Sequence, residues 1–326
     1  MTNETVIEVE NLTKFFPITE GIIRQKEVGR VHAVDDVSFK VFRGETLGLV
    51  GESGCGKTTT ARMLLRLLTP TKGRIWIKGI EIAHIKKKDM PSFRKSIQLV
   101  FQDPYASLNP RLTVYDMLSE GMDLYKLASS TKEKEEKVLA LMDTVGLAPF
   151  HIYRYPHEFS GGQRQRIGIA RALSVNPEII VADEPVSALD VSIRAQILNL
   201  LDDLQKSLGL TYIIVAHDLS VIRHVSDRVA VMYVGKMVEL AETNELFRNP
   251  RHPYTLALMS AVPIPDPTVK QDRIILPGDV PTPVNPPPGC RFKERCSYAT
   301  KKCEEDPEFT EIAPGHFTAC WHPLSS

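Results

Sequence analysis

The chain has 326 residues, of which 43% are hydrophobic and 25% are charged, a composition typical of a globular protein with a full core. Its 40 basic and 40 acidic residues balance, so no overall positive charge points to a nucleic acid or an anionic membrane surface as partner. No apolar run approaches the ~20 residues that cross a bilayer and no signal peptide is visible, so we expect a cytoplasmic protein.

The N-terminal part of the chain alternates like β-strands and then enters a glycine-rich loop. Residues 6–9 and 37–41 alternate with period two, and residues 45–50, which become apolar towards the loop, form a third predicted strand. Residues 59–68, after the loop, have helical spacing. This order of strand, loop and helix is the context in which phosphate-binding loops occur.

The loop itself, Gly51-Glu-Ser-Gly-Cys-Gly-Lys-Thr58, fits the phosphate-loop pattern in full. Glycines let backbone N–H groups wrap the phosphates, and the start of the next helix adds partial positive charge. Lys57 would reach the β- and γ-phosphates and the Thr58 hydroxyl would bind Mg²⁺, so we predict an ATP site rather than a ligand-free turn. The residues expected to contact the nucleotide here are Ser53, Gly54, Cys55, Gly56, Lys57, Thr58 and Thr59.

The middle of the chain alternates strands with polar helices. Residues 74–78 and 97–101 are predicted strands, and residues 113–145 have a helical pattern. Gln102 directly follows the second of these strands. We expect its side chain to contact Mg²⁺ or the water that attacks ATP.

A serine–glycine–glycine–glutamine run, residues 160–163, opens another helix. Ser160 with Gln163 three residues later matches a capping box. Gly161 and Gly162 weaken a first helical turn by about 1 kcal/mol each, which suits a helix start that a ligand must approach closely. We therefore predict a second phosphate-binding site, and with it a head-to-tail dimer in which each ATP lies between the phosphate loop of one subunit and the Ser160 helix of the other.

Two apolar strands are predicted at residues 179–182 and 212–216, with a long helix between them, which indicates a parallel sheet. Asp183 and Glu184 follow the first strand and His217 follows the second, at the sheet edge where ligands bind. We expect Asp183 to hold Mg²⁺ through water, Glu184 to orient or deprotonate the attacking water, and His217 to lie near the γ-phosphate. A solvated acidic turn and a structural histidine are the alternatives.

The C-terminal part begins with a predicted hairpin, residues 229–234 and 237–240 joined through Gly235-Lys236. Prolines dominate residues 263–288, so we expect an extended linker there. Four cysteines follow it, enough to bind a zinc ion or a four-iron cluster, with unligated buried cysteines as the third reading. They are Cys290, Cys296, Cys303 and Cys320.

Taken in this order, the motifs resemble those of the ATP-binding cassette (ABC) ATPases over roughly residues 6–246. The resemblance implies an α/β fold, a P-loop NTPase core with a mostly parallel sheet, an N-terminal antiparallel β part and an α-helical subdomain at about 105–175. It places the nucleotide-binding domain at 1–262 and a proline-rich linker with a small cysteine-rich C-terminal region at 263–326.

The same resemblance assigns roles to individual residues. It implies that an aromatic residue stacks on adenine, Phe16 by position or Phe15 as the alternative. The other implied roles are Lys57 and Thr58 for the Walker A loop, Gln102 for the Q-loop, Ser160–Gln163 for the signature, Asp183 for the Walker B acid, Glu184 for the catalytic carboxylate, Ser187–Asp190 for the D-loop and His217 for the switch histidine.

Residues 48–57 and 101–110, the run His252-Pro-Tyr-Thr255 and the cysteine-bearing tail resemble the ATPase subunits of oligopeptide and dipeptide importers. That resemblance implies ATP-driven dimerisation, two transmembrane permease subunits, a paralogous partner ATPase or a second copy, and an extracytoplasmic peptide-binding protein. It implies a peripheral location at the cytoplasmic face of the inner membrane, and it favours an iron–sulfur cluster over zinc. Importers of oligosaccharides or nickel, and soluble ABC ATPases that act on ribosomes or DNA, are the alternative functions.

Overall fold

A computed structural model describes residues 4–21, 26–262 and 273–325. Residues 263–272, where the proline-rich stretch begins, lie outside the described residues. Among the residues described, none of the helices combines the length and the hydropathy that crossing a lipid bilayer requires.

The strands are β1 (Thr5–Glu20), β2 (Lys26–Phe42), β3 (Thr46–Val50), β4 (Lys72–Ile77), β5 (Ile80–Glu81), β6 (Ile97–Val100), β7 (Ile179–Asp183), β8 (Thr211–Ala216), β9 (Arg228–Tyr233), β10 (Lys236–Glu242), β11 (Thr310–Ala313) and β12 (His316–Thr318). The helices are α1 (Lys57–Leu64), α2 (Met90–Ser96), α3 (Val114–Leu124), α4 (Thr131–Thr144), α5 (Gly161–Leu173), α6 (Val191–Leu208), α7 (Leu219–Val225), α8 (Thr243–Arg248) and α9 (Pro253–Ser260). The described residues divide into two compact units: the first unit is Ile85–Val215, and the second lies within Thr2–His84 and Ala216–Ser326.

The first unit contains a parallel sheet in which β7 lies between β6 and β8. Every residue of β7 is buried, as expected for a parallel strand covered on both faces. The stretch 113–145, predicted as helical, consists of α3 and α4, whose N-caps are Thr113 and Ser130. The predicted helical subdomain at about 105–175 therefore falls within the first unit.

The second unit contains an antiparallel sheet formed by the N-terminal part of the chain, in the order β2-β1-β4-β5. The predicted short strands at 6–9 and 37–41 are segments of the much longer β1 and β2. In their register Phe16 lies opposite Val31. The expectation of an N-terminal antiparallel β part is confirmed.

A second sheet of this unit carries the phosphate loop. Strand β3, which leads into the loop, pairs in parallel with β9, and β9 continues antiparallel into β10. The predicted hairpin is confirmed, but its turn is one residue earlier than expected. Tyr233 lies opposite Lys236, and Val234 and Gly235 form the turn with φ angles of 40° and 81°. Positive φ at both central residues gives the twist that a two-residue hairpin turn needs.

The described C-terminal region extends the same sheet, because β12 pairs with β10 and β11 pairs with β12. The buried carboxylate of Glu239 on β10 helps to hold this arrangement together. It accepts hydrogen bonds from the backbone N–H of Arg251 at 2.6 Å and of His252 at 2.9 Å, and it contacts Nε2 of His316 at 2.7 Å. One fully buried side chain thus links β10 to the start of α9 and to β12.

We expect Glu239→Ala to lower the free energy of unfolding by about 3 kcal/mol or more, because two buried N–H groups and an imidazole lose their partner. Urea unfolding measures the change. Glu305→Ala is the matched control, since that side chain is exposed, and it should change stability by less than about 0.5 kcal/mol. Equal losses in the two variants would contradict the role assigned to Glu239.

Candidate active site

The phosphate loop passes so close to two neighbouring strands that glycine is required at its ends. A Cβ on Gly51, whose φ is 148°, would lie 2.1 Å from the carbonyl oxygen of Met232. A Cβ on Gly56, whose φ is 108°, would lie 2.2 Å from the carbonyl oxygen of Ala33. These glycines allow backbone positive φ and close approach, so their backbone N–H groups can face a ligand.

Lys57 is the first residue of α1 and is buried. Its ammonium donates hydrogen bonds to the carbonyl oxygens of Gly51 at 2.7 Å and Glu52 at 3.0 Å, so the charge sits inside the curve of the loop. Thr58 is half-buried beside it, while Ser53 and Gly54 are exposed at the loop tip. Burial raises the pKa of the Cys55 thiol, which fits a space-filling residue rather than a nucleophile.

The two aromatic candidates lie side by side on β1. Phe15 stacks on His32 with ring centroids 3.9 Å apart, and Lys14 places its ammonium 5.0 Å from the ring centroid of Phe16. Phe16 pairs with Val31 on β2, two residues from the Ala33 carbonyl that abuts the phosphate loop. Both aromatic residues therefore lie on β1, opposite the β2 residues His32 and Val31 that directly precede Ala33.

The acidic pair of the first unit has two different environments. Asp183 ends β7 and is buried, whereas Glu184 is half-exposed. Glu184 leaves the strand with a φ of 46°, a left-handed conformation that is unfavourable for a glutamate. Its backbone N–H donates to the carbonyl oxygen of Val215 on β8 at 2.9 Å, which holds this conformation in place.

Gln102 and Glu184, 82 positions apart, lie together because each follows the end of one of two neighbouring parallel strands, β6 and β7. The Gln102 amide Nε2 donates to Glu184 Oε2 at 2.8 Å. The Gln102 amide therefore orients the Glu184 carboxylate. His217 is exposed and belongs to the second unit, where it precedes the N-cap Asp218 of α7.

Ser160 caps α5 through the predicted capping box. Its hydroxyl accepts from the Gln163 backbone N–H at 3.3 Å, and the Gln163 side chain accepts from the Ser160 backbone N–H at 3.0 Å. Asp190 occupies the N-cap position of α6 but makes no capping hydrogen bond with its exposed side chain.

Only one of the two signature glycines is explained by packing. A Cβ on Gly162 would lie 2.5 Å from Cγ2 of Ile193 on α6, so this glycine allows the two helices to approach. A Cβ on Gly161 would lie 3.5 Å from Leu189, an ordinary contact. The sequence argument ascribed both glycines to the approach of a ligand; for Gly162 the packing against α6 is a sufficient reason.

Two arginines of α5 that sequence reasoning missed brace the segment after Gln102. The guanidinium carbon of Arg164 lies 3.9 Å from the ring centroid of Tyr105. Arg171 donates to the Ser107 carbonyl oxygen at 2.6 Å, and burial lowers its pKa. The helix that begins at Ser160 therefore contacts the exposed loop that follows β6. The sequence offered a signal for Arg164 alone, which directly follows the signature; Arg171 lies eight residues beyond Gln163.

The four C-terminal cysteines line one cavity of the second unit, together with His252 and His322 among others. Burial raises the pKa of Cys290 and of Cys320 to about 11, so ligating thiolates at this place require a compensating positive charge. In residues 4–21, 26–262 and 273–325, no three His, Cys, Asp or Glu side chains lie close enough together to bind a single metal ion. Neither the expected iron–sulfur cluster nor the alternative zinc site gains support from this part of the chain.

Two family profiles match the sequence. The one described as "ABC transporter" matches residues 34–187, and the one described as "Oligopeptide/dipeptide transporter, C-terminal region" matches residues 238–303. The chain is 54% identical over 321 residues to the oligopeptide transport ATP-binding protein AppF of Bacillus subtilis, with 97% of each chain covered. It is 48% identical over 328 residues to the dipeptide transport ATP-binding protein DppF of Haemophilus influenzae, with 99% of each chain covered.

Solved structures with similar folds include the ATP-binding cassette MJ0796 as a post-hydrolysis dimer bound to ADP and Pi. It is 29% identical with a TM-score of 0.64, and the match covers 73% of this chain and 98% of that one. The structure of cbiO1 from Clostridium perfringens, part of the ABC transporter complex cbiONQ, is 28% identical with a TM-score of 0.64 and coverage of 75% and 91%.

We expect Gly162→Ala to destabilise the protein by about 1–3 kcal/mol, because the new methyl group meets the stiff, β-branched side chain of Ile193. The matched variant Gly161→Ala has room for its methyl group and gains helix propensity, so its stability should be unchanged or higher by up to about 1 kcal/mol. Urea unfolding of both variants measures the difference. If both variants lose the same stability, the packing distinction between these glycines is wrong.

Proposed function

Because the chain belongs to the family of oligopeptide and dipeptide transport ATP-binding proteins, we propose that it is the ATP-hydrolysing subunit of an importer of di- and oligopeptides. The observation that carries the proposal is the Glu184 carboxylate, held in a left-handed backbone conformation by β8 and oriented by Gln102. Backbone strain maintained at a charged residue is typical of a reactive group.

The chemistry assigned to the site is hydrolysis of the γ-phosphate bond of MgATP. Lys57 and the loop amides bind the phosphates, Thr58 and Asp183 hold Mg²⁺ directly or through water, and Gln102 stands beside the metal or the attacking water. Glu184 accepts a proton from that water as it attacks, and His217 contacts the γ-phosphate. Phe16 or Phe15 supplies the ring that stacks on adenine.

The site is completed by a second ATPase chain in this proposal. The exposed Ser160 hydroxyl and the α5 N-terminus offer an anion site, and Gly161 is the signature glycine for which packing gives no reason. Residues Ser160–Gln163 and Asp190 would then face the ATP of the partner, which is a paralogous subunit or a second copy. The dimeric state of the MJ0796 cassette supports this arrangement.

We assign the permease contact to residues 105–110 and the helical segment that follows them, a part of the first unit in which several aromatic side chains are exposed. Exposed rings that cluster on one unit are typical of a protein-binding surface. Arg164 and Arg171 connect the loop at Tyr105 to α5, the helix that begins at the signature. A movement of the permease against this loop would therefore be transmitted to the α5 N-terminus, which faces the ATP of the partner. The exposed side chains are Phe101, Tyr105, Phe150, Tyr153 and Tyr155.

The partners of this assembly are two transmembrane permeases, the second ATPase and, indirectly, an extracytoplasmic peptide-binding protein. The chain would then lie peripherally at the cytoplasmic face of the inner membrane, where ATP is available. Since the ATPase does not touch the cargo, oligosaccharide or nickel import would use the same site. The names of the relatives favour peptides. A soluble ABC ATPase without permeases is the weakest candidate.

We further propose that Cys290, Cys296, Cys303 and Cys320 hold a [4Fe-4S] cluster. Each thiolate then binds a different iron, so the four sulfurs need not converge on a single ion. The shared cavity and the burial that raises the thiol pKa values both fit a cluster that supplies positive charge. Its role in this proposal is structural.

We expect Glu184→Gln to bind MgATP with an affinity close to that of the unchanged protein but to lose at least about 100-fold in turnover, because a neutral amide cannot accept the proton of the attacking water. Phosphate release measures turnover, and gel filtration with MgATP reports the stalled dimer. Glu136→Gln, on the exposed face of α4, is the control. Normal turnover by Glu184→Gln would show that another residue is the base.

Anaerobic purification of the unchanged protein should give a brown sample with about four irons and four sulfides per chain. Cys303→Ala should lose both the visible absorbance and the iron, whereas Cys55→Ala, which changes a cysteine of the phosphate loop, should keep them. Iron and zinc analyses on the same samples separate the two metals. A colourless protein without iron would refute the cluster.

A further inference from the structure

Glu52, the second residue of the phosphate loop, is held by two residues from the C-terminal part of the second unit. The hydroxyl of buried Tyr254 accepts a hydrogen bond from the Glu52 backbone N–H at 2.9 Å. Arg295 Nη1 donates to Glu52 Oε2 at 2.9 Å and to the Tyr233 hydroxyl at 3.3 Å. Arg295 is only 8% exposed, whereas the Glu52 side chain is 26% exposed, so this ion pair is partly shielded from water.

Arg291 reaches the same loop through the turn between β9 and β10. Its guanidinium donates to the Val234 carbonyl oxygen at 2.9 Å and pairs with Asp35. The next residue of the turn, Gly235, donates its N–H to the carbonyl oxygen of Cys55 at 2.9 Å. Arg291 therefore fixes the turn that contacts the far side of the phosphate loop.

Both arginines lie directly beside cysteines of the cavity. Arg291 follows Cys290 and Arg295 precedes Cys296, so residues 290–296 form one short segment, here called the arginine segment. Its backbone is tied to the rest of the cavity, because Cys290 N–H donates to the Cys303 carbonyl oxygen at 3.0 Å. A displacement of the cysteines moves the two guanidinium groups with them.

The buried Phe292 makes this segment rigid. Its ring centroid lies 5.2 Å from that of Tyr233 and 5.4 Å from that of Tyr254, whose own rings are 4.6 Å apart. These three rings join the arginine segment to the end of β9 and to α9. Both residues that hold Glu52 are thus connected to this ring cluster: Tyr254 is one of its members, and Arg295 donates to the Tyr233 hydroxyl.

The contact between Arg295 and Glu52 matters for ATP binding because Glu52 is negatively charged. A carboxylate on the loop that binds an anionic triphosphate opposes binding unless a cation compensates it. We infer that Arg295 is a positioning residue that neutralises and orients Glu52, with Arg291 holding the opposite side of the loop, so that the cysteine-lined region sets the affinity for MgATP. The inference rests on the proposed function, since it concerns the same nucleotide site.

A double-mutant cycle on Arg295 and Glu52 tests it. Arg295→Gln should weaken binding of a fluorescent ATP analogue in the presence of Mg²⁺ by about tenfold, because Glu52 is left uncompensated. Glu52→Gln alone should bind within about twofold of the unchanged protein, and the double variant should match Glu52→Gln. Arg295→Lys keeps the charge and should restore most of the affinity, which a merely space-filling role would not predict.

A variant of Cys296 tests the contribution of the cysteine-lined region in the same way. Cys296→Ala should weaken binding of the analogue in the unchanged protein but not in the Glu52→Gln background, since its effect passes through Arg295. Arg228→Gln is the control, because Arg228 forms a part-buried pair with Glu45 at 3.2 Å in the same unit. It should leave the affinity for the analogue unchanged, and thermal unfolding without nucleotide checks that each variant is folded.

The outcomes separate the inference from the proposed function. If the unchanged protein does not bind the analogue, the proposed function fails. If the unchanged protein binds and folded Arg295→Gln binds equally well, only the inference is overturned. An equal loss of affinity from Arg295→Gln in both Glu52 backgrounds overturns it as well, because the effect then does not act through that carboxylate.

Discussion

The arrangement of the second unit depends on how closely two strands approach the phosphate loop. The loop runs between the end of β9 and the backbone of β2, with carbonyl oxygens about as close as glycine allows on both sides. Backbone atoms cannot give way as a flexible side chain can, so β2, β9 and the following turn share one fixed arrangement. Each element that contacts β9 or its turn, including the C-terminal region, therefore bears on the geometry of the loop.

Local features of the site were predictable because short spacing determines them. The phosphate loop, the capping box at Ser160 and the strand that ends at Asp183 each depend on residues within a few positions of one another. Even the contact of Gln102 with Glu184 follows from a simple rule, since neighbouring parallel strands end at one edge. The hairpin turn was misplaced by one residue because Val234 adopts a positive φ that its side chain does not suggest.

Long-range contacts could not be predicted in this way. Arg295 and Glu52 are 243 positions apart, and no periodicity connects them. The pairing of β12 with β10 and the approach of Ile193 to Gly162 likewise depend on how whole elements pack. A cysteine pattern suggests a ligand, but it does not show which neighbouring side chains connect the cysteines to other parts of the fold. Nothing in the sequence distinguishes the arginines beside Cys290 and Cys296 from ordinary surface charges.

The left-handed backbone at Glu184 has a consequence for the history of the chain. Asparagine or glycine would occupy this conformation with less strain, so selection for stability alone would replace the glutamate. Under the catalytic role proposed for Glu184, a gene copy whose product no longer hydrolyses ATP could gain stability by replacing this residue. In a transporter with two unequal ATPases, the residue type at this position would then indicate which subunit still hydrolyses ATP.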